Sequence, residues 1–343
     1  FIVARQDLID KYQLTKPEDW DSFKEFLKEL AAVQNETGVV ALNTNANRNQ
    51  TLEPYLQANG YDYFTEGFDY FYNAGGKAEL PGWDSVIYLY TSDLYLEYAK
   101  EMAELAAAGV WSKDAINDTN DATAYFENGT SGCIGWNFSA IDAGEKLEKA
   151  GLGTFGVYDV SPDIHMARSR YNGDMIAVAT NSKNPERAAL VLDYMKSDVD
   201  LNRTLLGGIQ GEHWDLNEEG QRMVLDAAEN YSWNSWAWAL NRADEPVMAG
   251  TDERELAISD SINSRELFAE VAGFTFDSSS IATELSVVNS IVDEYEYSFS
   301  LGIYGDNTEA KFNEFKGKLE AAGLDKVTEA MKTQYEAFAA KNS

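Results

Sequence analysis

Residues 124–151, AYFENGTSGCIGWNFSAIDAGEKLEKAG, read as helix, strand, helix. Asn120 is placed to cap a short helix through Tyr125 and Phe126, and Gly129 suits the left-handed position that closes it. The uncharged run 132–138 then supplies a buried strand. Ser139 stands where an N-cap opens a helix through Ile141 and Leu147 to Gly151. Trp136 and Phe138 therefore fall at the strand's carboxyl end, the place where open α/β sheets bind ligands. Side chains two apart on a strand share a face, so the two rings are expected to form one apolar platform. Burial of both rings in the core is the alternative that this pattern leaves open.

The same strand–loop–helix grammar recurs on either side. Thr15-Lys16-Pro17-Glu18 reads as a capping box that opens a helix with Trp20, Phe23, Leu27 and Leu30 on its apolar face. A short buried strand over 38–42 follows, then a polar loop over 43–50 (NTNANRNQ) and a helix over 52–58. A further helix over 92–108 carries Leu94, Tyr98, Met102 and Leu105 on one face and ends before Gly109. Residues 175–179 read as another strand, and Asn184-Pro185-Glu186 starts a helix over 187–196. This alternation specifies α/β architecture. The last third differs, with consecutive amphipathic helices over 281–299, 309–322 and 325–340 and no strand.

Composition excludes several function classes. The chain has 343 residues, 44% of them hydrophobic, enough for two domains or a two-lobed fold. With 58 acidic against 27 basic residues its net charge is −31, which repels nucleic acid and anionic membrane surfaces. No run of eighteen apolar residues marks a membrane span. Cys133 is the single cysteine and sits in the apolar strand, so it is expected to pack as a small hydrophobe. Eight Trp and 19 Tyr are more ring surface than the core requires, so some rings are expected to meet a ligand.

Catalytic motifs are missing from the sequence. His165 and His213 are the only histidines and stand in no metal-ligand pattern, and neither a nucleophile elbow nor a phosphate-binding glycine loop occurs. No metal and no cofactor is expected. A carboxylate pair of the glycosidase kind leaves no mark in sequence, so a carbohydrate-active enzyme stays open as an alternative. Sugar-binding chemistry is better represented. Sugars need aromatic faces for their C–H surfaces and amide, carboxylate or guanidinium partners for their hydroxyls. That mixture occurs at 43–50, at Trp136-Asn137-Phe138, at Arg170-Tyr171-Asn172, at Glu212-His213-Trp214-Asp215 and over 231–242 (YSWNSWAWALNR).

Four segments together resemble a known family: ARQDLIDKY at 4–12, the helix start at 17–23, AYFENGTSGCIGW at 124–136 and NSKNPERAALVLDYMKS at 181–197. They are similar to the extracellular solute-binding proteins of ABC importers, in the sugar-binding branch that includes maltose-binding protein. The last third, from GFTFD at 273–277, resembles the lipoprotein-type subgroup of Firmicutes. The resemblance implies a two-lobed, periplasmic-binding-protein-like (class II) α/β fold with a C-terminal helical region. On it, 1–172 form the main part of the second lobe and 173–272 the returning part of the first lobe plus an insert. Residues 273–343 are then helices packed on the second lobe and cleft. A segment like ARQDLIDKY comes just after the first crossover between lobes in such proteins, so the opening part of the first lobe is expected to lie outside this sequence.

Carried over by position, the resemblance makes Trp136 a sugar-stacking aromatic with Phe138 beside it. It makes Asn47 and Arg48 part of a cleft-lining loop, with Arg170, Tyr171 and Asn172 before the strand that returns to the first lobe. Phe276 and Asp277 correspond to the start of a late helix near the cleft, and Trp214 and Trp236 complete the candidate ligand contacts. GGIQGEHWDL at 207–216 departs from the subgroup's pattern, with Gln210 where that pattern has Glu. The expected function is capture of an oligosaccharide for import by ABC importer permease subunits, without catalysis. The protein is expected to be an extracellular monomer of a Gram-positive bacterium, held to the membrane only through an upstream lipid anchor. A peptide, amino-acid derivative or polyol ligand in the same fold is the alternative, since Arg48 and Arg170 would also suit a ligand carboxylate.

Overall fold

The computed structural model describes residues 1–43, 49–65, 67–74, 77–162, 166–168, 176–233, 236–240, 242 and 244–342, with the side chains of 166–168 and 236 left out. In chain order the first elements are β1 (Ile2–Arg5), α1 (Gln6–Tyr12), α2 (Trp20–Ala32), α3 (Gln34–Thr37), β2 (Val40–Leu42), α4 (Leu52–Ala58), β3 (Tyr61–Tyr63), β4 (Tyr70–Asn73) and β5 (Val86–Tyr88). Next come α5 (Asp93–Ala107), α6 (Ala122–Glu127), β6 (Ser131–Gly135), α7 (Ser139–Lys149), β7 (Phe155–Tyr158) and β8 (Met166–Arg168). The remainder is α8 (Pro185–Ser197), α9 (Val199–Gly207), β9 (Trp214–Leu216), β10 (Arg222–Val224), α10 (Glu253–Ser264), β11 (Glu266–Phe268), α11 (Ala282–Ser300), α12 (Thr308–Ala321) and α13 (Leu324–Asn342). Contacts divide the chain into two units, Phe1–Ser169 with Arg254–Ser343, and Arg170–Glu253.

The first unit is built on a four-stranded sheet in the order β2-β6-β1-β7. β1 runs antiparallel to both β6 and β7, while β2 lies parallel to β6. Both faces of this sheet are covered, which is why its strands read as continuous apolar runs. On β1, Ile2 and Ala4 join one core and Val3 the other, as the two-residue period of a strand dictates. The first core takes in Phe23, Phe26, Leu27 and Leu30 of α2, Tyr95, Tyr98 and Met102 of α5, and Phe299 and Phe315 of α11 and α12. The second holds Ile141 and Leu147 of α7 with Phe126, Phe155 and Ile258. A third lies on the antiparallel sheet β3-β4-β5, where Phe64, Tyr70 and Tyr72 pack with Phe274, Met331 and Tyr335.

Residues 254–272, grouped above with the returning segment, pack within the first unit. Arg254 of α10 lies over the Phe155 ring at 3.4 Å, donates to the Phe155 carbonyl at 2.6 Å and pairs with Glu148 at 3.1 Å. β11 pairs in parallel with β8, and Arg265 forms an ion pair with Asp159. In the second unit α8 and α9 adjoin, and Asn202, fully buried, donates to the carbonyls of Met195 and Leu240. The hairpin β9–β10 adds Trp214, whose indole N–H donates to the Gly208 carbonyl at 2.9 Å beneath the Arg222 guanidinium.

Several local expectations need correction. The capping box of α2 is made by Asp19 and Ser22, one turn later than the Thr15–Glu18 pattern, because Asp19 accepts from the Ser22 amide while the Ser22 hydroxyl accepts from Asp19. Asp121, not Asn120, caps α6. Residues 176–179 form no strand, and Met175 lies outside the described residues, as does His165. The three C-terminal helices stand where their periodicity placed them, broken at 301–307 and at Gly323. Cys133 is buried, and burial pushes its thiol well up. Among the described residues no helix is long and apolar enough to cross a membrane, and no group of His, Cys, Asp and Glu could hold a metal ion.

Candidate functional site

β6 ends at Gly135, three residues earlier than expected, because the backbone there is tied to a neighbouring loop. A Cβ on Gly135 would lie 3.0 Å from both the Gln50 carbonyl oxygen and Ile2 Cδ1, so glycine lets the two segments meet. The Gln50 side chain, itself buried, secures the junction: its Oε1 accepts from the Gly135 N–H at 2.9 Å and its Nε2 donates to the Asn43 carbonyl at 2.7 Å. The chain then turns through Trp136 and Asn137 into α7. Asn137 Oδ1 accepts from the Ser139 N–H at 3.0 Å and from its hydroxyl at 2.8 Å. Thus Ser139 is the first helical residue, and Asn137 supplies the capping oxygen expected of it.

This turn exposes both candidate rings. Trp136 is 41% exposed and Phe138 42%, so the core alternative does not hold for either. They are not two positions of one strand face, since the strand stops before them. Phe138 instead packs on Phe1, ring centroids 5.5 Å apart, at the residue preceding α7. Trp136 and Phe1 help line a pocket of about 310 Å³, with Asn49, Gln50, Glu53, Pro54, Gln57, Gly135 and Asn137.

The opposite wall is α4 and the residues before it. Tyr55 and Leu56 point into the core, which leaves Glu53 and Gln57, one turn apart, on the pocket side; Gln57 Nε2 donates to Glu53 Oε1 at 3.3 Å. Asn49 fixes the helix start, its Oδ1 accepting from the Thr51 and Leu52 amides at 3.0 and 3.1 Å. Its Nδ2 donates to Ser300 Oγ at 2.8 Å and Tyr98 Oη at 3.2 Å, so the wall is anchored on α5 and α11. Burial pushes the Tyr98 hydroxyl up to about 12, so it stays protonated and shares a hydrogen bond with Thr51 at 2.8 Å. Chemically the pocket offers an aromatic face, amide groups and one carboxylate.

The other candidate residues stand elsewhere. Asn47, Arg48, Arg170, Tyr171 and Asn172 lie outside the described residues, and Trp236 lies in a short turn, Trp236–Trp238, without a described side chain. Trp214 is 4% exposed with its N–H committed to Gly208, so it presents no ring to a ligand. Phe276 is buried against Phe68, ring centroids 5.0 Å apart, and does not line the pocket. Asp277 is exposed and caps its own turn; hydrogen bonds from Ser279 hold its carboxyl below the usual range. His213 accepts from the Ile209 N–H at 3.0 Å, and its ring lies tilted against Tyr231 with centroids 5.5 Å apart. Glu53 and Gln57 were not singled out from the sequence. Their signal was available, since they are the polar i, i+4 pair flanking Tyr55 and Leu56 on a short helix.

With this geometry established, comparisons with known proteins add the following. A family model described as "Bacterial extracellular solute-binding protein" matches residues 1–200, and one described as a domain of unknown function (DUF3502) matches 270–340. A curated relative from Streptococcus pneumoniae serotype 4, a carbohydrate ABC transporter substrate-binding protein, is 23% identical over 171 residues, covering 47% of this chain. That match covers 33% of the relative, so the chain spans about a third of its length. Among solved structures, the N-glycan transport solute binding protein of Streptococcus pneumoniae aligns with a TM-score of 0.71 at 17% identity, over 100% of this chain and 73% of that one. A human-milk-oligosaccharide (HMO) binding, ABC-transporter-associated solute binding protein from Bifidobacterium longum infantis aligns with a TM-score of 0.61 at 13% identity, over 98% and 73%. At these identities the likeness is one of fold, and it establishes the two-lobed, class II α/β fold expected from the sequence.

Proposed function

The chain belongs to the bacterial extracellular solute-binding proteins, and from that membership we propose that it is the substrate-binding component of an ABC importer that captures an oligosaccharide outside the cell. The observation that carries this reading is the exposed Trp136 ring at a pocket whose other polar walls are amides and a carboxylate. A sugar ring laid on an aromatic face covers its C–H surface while its hydroxyls reach Glu53, Gln57 and Asn137. The carbohydrate, N-glycan and HMO specificities in the names of the relatives support a sugar over a peptide or polyol.

Trp136 and Phe138 contact ligand, with Asn47, Arg48, Arg170, Tyr171, Asn172 and Trp236 as further contacts. The first unit corresponds to the second lobe with its C-terminal helices, and the second unit to the returning part of the first lobe. Permease subunits receive the ligand, the protein acts as a monomer, and a lipid anchor upstream holds it to the surface of a Gram-positive cell. No bond in the ligand is broken.

Isothermal titration with a panel of oligosaccharides of three to five sugars, and with peptides, amino-acid derivatives and polyols as controls, tests the reading. Saturable binding of an oligosaccharide, recovered unchanged by chromatography, is expected. Binding confined to the controls, or recovery of shortened sugar, would reject it.

A further inference from the structure

We propose that the C-terminal helical region holds the pocket in its binding geometry, with Ser300 of α11 as the positioning residue that acts through Asn49; this rests on the sugar-binding reading above. Residues 270–340 match a domain of unknown function, and the proposal gives that segment a role. Asn49 is where the pocket and this segment meet. On one side it lines the pocket, and its Oδ1 accepts from the Thr51 and Leu52 amides, which sets the start of the helix that carries Glu53 and Gln57. On the other its Nδ2 donates to Ser300 Oγ at 2.8 Å and to Tyr98 Oη at 3.2 Å.

The wall needs such an anchor, because α4 has only seven residues and a helix that short does not hold its own start. The anchor is well fixed. Ser300 is buried at the end of the nineteen-residue helix α11, whose Val292, Tyr295 and Phe299 share a core with Tyr95, Tyr98 and Met102 of α5. Just beyond it, Gly302 has a φ of 62°, and a Cβ there would run into the Met102 carbonyl, so glycine lets the end of α11 press directly on α5. The Trp111 indole N–H donates to the Leu301 carbonyl at 2.9 Å and secures the same end.

Ser300 does not line the pocket, so its removal takes no contact from a ligand. Without its hydroxyl the Asn49 amide keeps only the longer bond to Tyr98, and the hold on Thr51 and Leu52 loosens. Losing one neutral hydrogen bond leaves the wall in its binding geometry for roughly a third to a tenth of the time, and apparent affinity falls by the same factor. Ser300→Ala should therefore weaken sugar binding roughly three- to tenfold.

The test is calorimetric titration of the tightest-binding oligosaccharide into the parent, Ser300→Ala, Asn49→Ala and the double variant, with the melting temperature confirming that each is folded. Because Ser300 acts through Asn49, the double variant is expected to bind no more weakly than Asn49→Ala alone. Hydrogen exchange at the Thr51 and Leu52 amides should be faster in free Ser300→Ala, while amides in the middle of α5 keep the parent's rate. Should Ser300→Ala fail to fold, Tyr98→Phe, which takes away the other hydroxyl that Asn49 meets, replaces it in the same cycle. Parent affinity in a folded Ser300→Ala overturns the inference and leaves the sugar-binding reading standing. So do losses that simply add in the double variant, or unchanged exchange at Thr51 and Leu52. If the parent binds no oligosaccharide, the underlying reading falls and the inference with it.

Discussion

Replacing Gln50 by leucine should destabilise the protein out of proportion to the size of the change. The side chain is 3% exposed and bridges two segments, holding the Gly135 N–H and the Asn43 carbonyl at 2.9 and 2.7 Å. Leucine is similar in volume, so little cavity opens; what is lost is the partner of two buried backbone groups. Each group left unsatisfied costs about 1–3 kcal/mol, so the pair costs about 2–6 kcal/mol, a large share of the roughly 5–15 kcal/mol typical of folded proteins. Urea unfolding followed by circular dichroism gives the total. Hydrogen exchange at Gly135 gives the local part, since each 1.4 kcal/mol lost in the protecting equilibrium speeds exchange about tenfold. Gln50→Glu adds a sign test. One oxygen still accepts from Gly135, while the other faces the Asn43 carbonyl and needs a proton to bond it. Its folded-state pKa is therefore raised, and this variant should be most stable below the usual carboxylate range and lose stability as pH rises from that range up through the raised value. If Gln50→Leu unfolds within about 0.5 kcal/mol of the parent and Gly135 stays protected, the tie between loop and strand is not what holds the turn.

Two further outcomes follow from the packing. Asp69 has its carboxyl pushed up to about 7, chiefly by burial and then by Glu296 and Asp293, so its contribution is complete at low pH and is lost as pH rises from about 4 through 7. Asp69→Asn should flatten the melting temperature between pH 5 and 8 and stabilise the protein at pH 8, by at most about 4 kcal/mol before solvent screening reduces it; an unchanged pH profile would remove Asp69 as the cause. Trp214→Ala should cost about 3–5 kcal/mol in unfolding and Trp214→Phe only about 1 kcal/mol, through the lost bond to Gly208. Sugar affinity of Trp214→Phe should match the parent, and a selective loss of affinity would return Trp214 to the ligand contacts.

The architecture was legible because it is written in periodicity and in covered faces. The helices α2, α4, α5, α11, α12 and α13 declare themselves by apolar spacing and by Ser92, Gly109 and Gly323 at their ends. The family resemblance rested on segments that lie mostly within residues 1–200, which the family model matches. Ends of elements were less legible, for a physical reason: Asp19, Asp121 and Asn137 compete with neighbouring polar residues for the same capping role, and packing decides among them. β6 was read as too long because Gly135 and Gln50 meet at a contact 85 positions apart in sequence, which no local pattern reveals. The same limit applied to the site. Trp136 was found because large rings at a strand end are conspicuous, whereas Glu53 and Gln57 matter only once α4 is brought against that turn. Trp214 was drawn in by ring chemistry and Phe276 by its place in the family resemblance, and burial takes both away from a ligand.

The most direct measurement is calorimetric titration of the best-binding oligosaccharide into the parent and into Trp136→Ala. The ring is 41% exposed, so its removal should lower the melting temperature by only a few degrees and leave the protein folded. Covering such a face with a sugar contributes about 1.5–3 kcal/mol, and affinity should therefore fall roughly ten- to hundred-fold, with Trp136→Phe retaining most of it. Equal affinity in the parent and in a fully folded Trp136→Ala would contradict the assignment of this pocket as the sugar site.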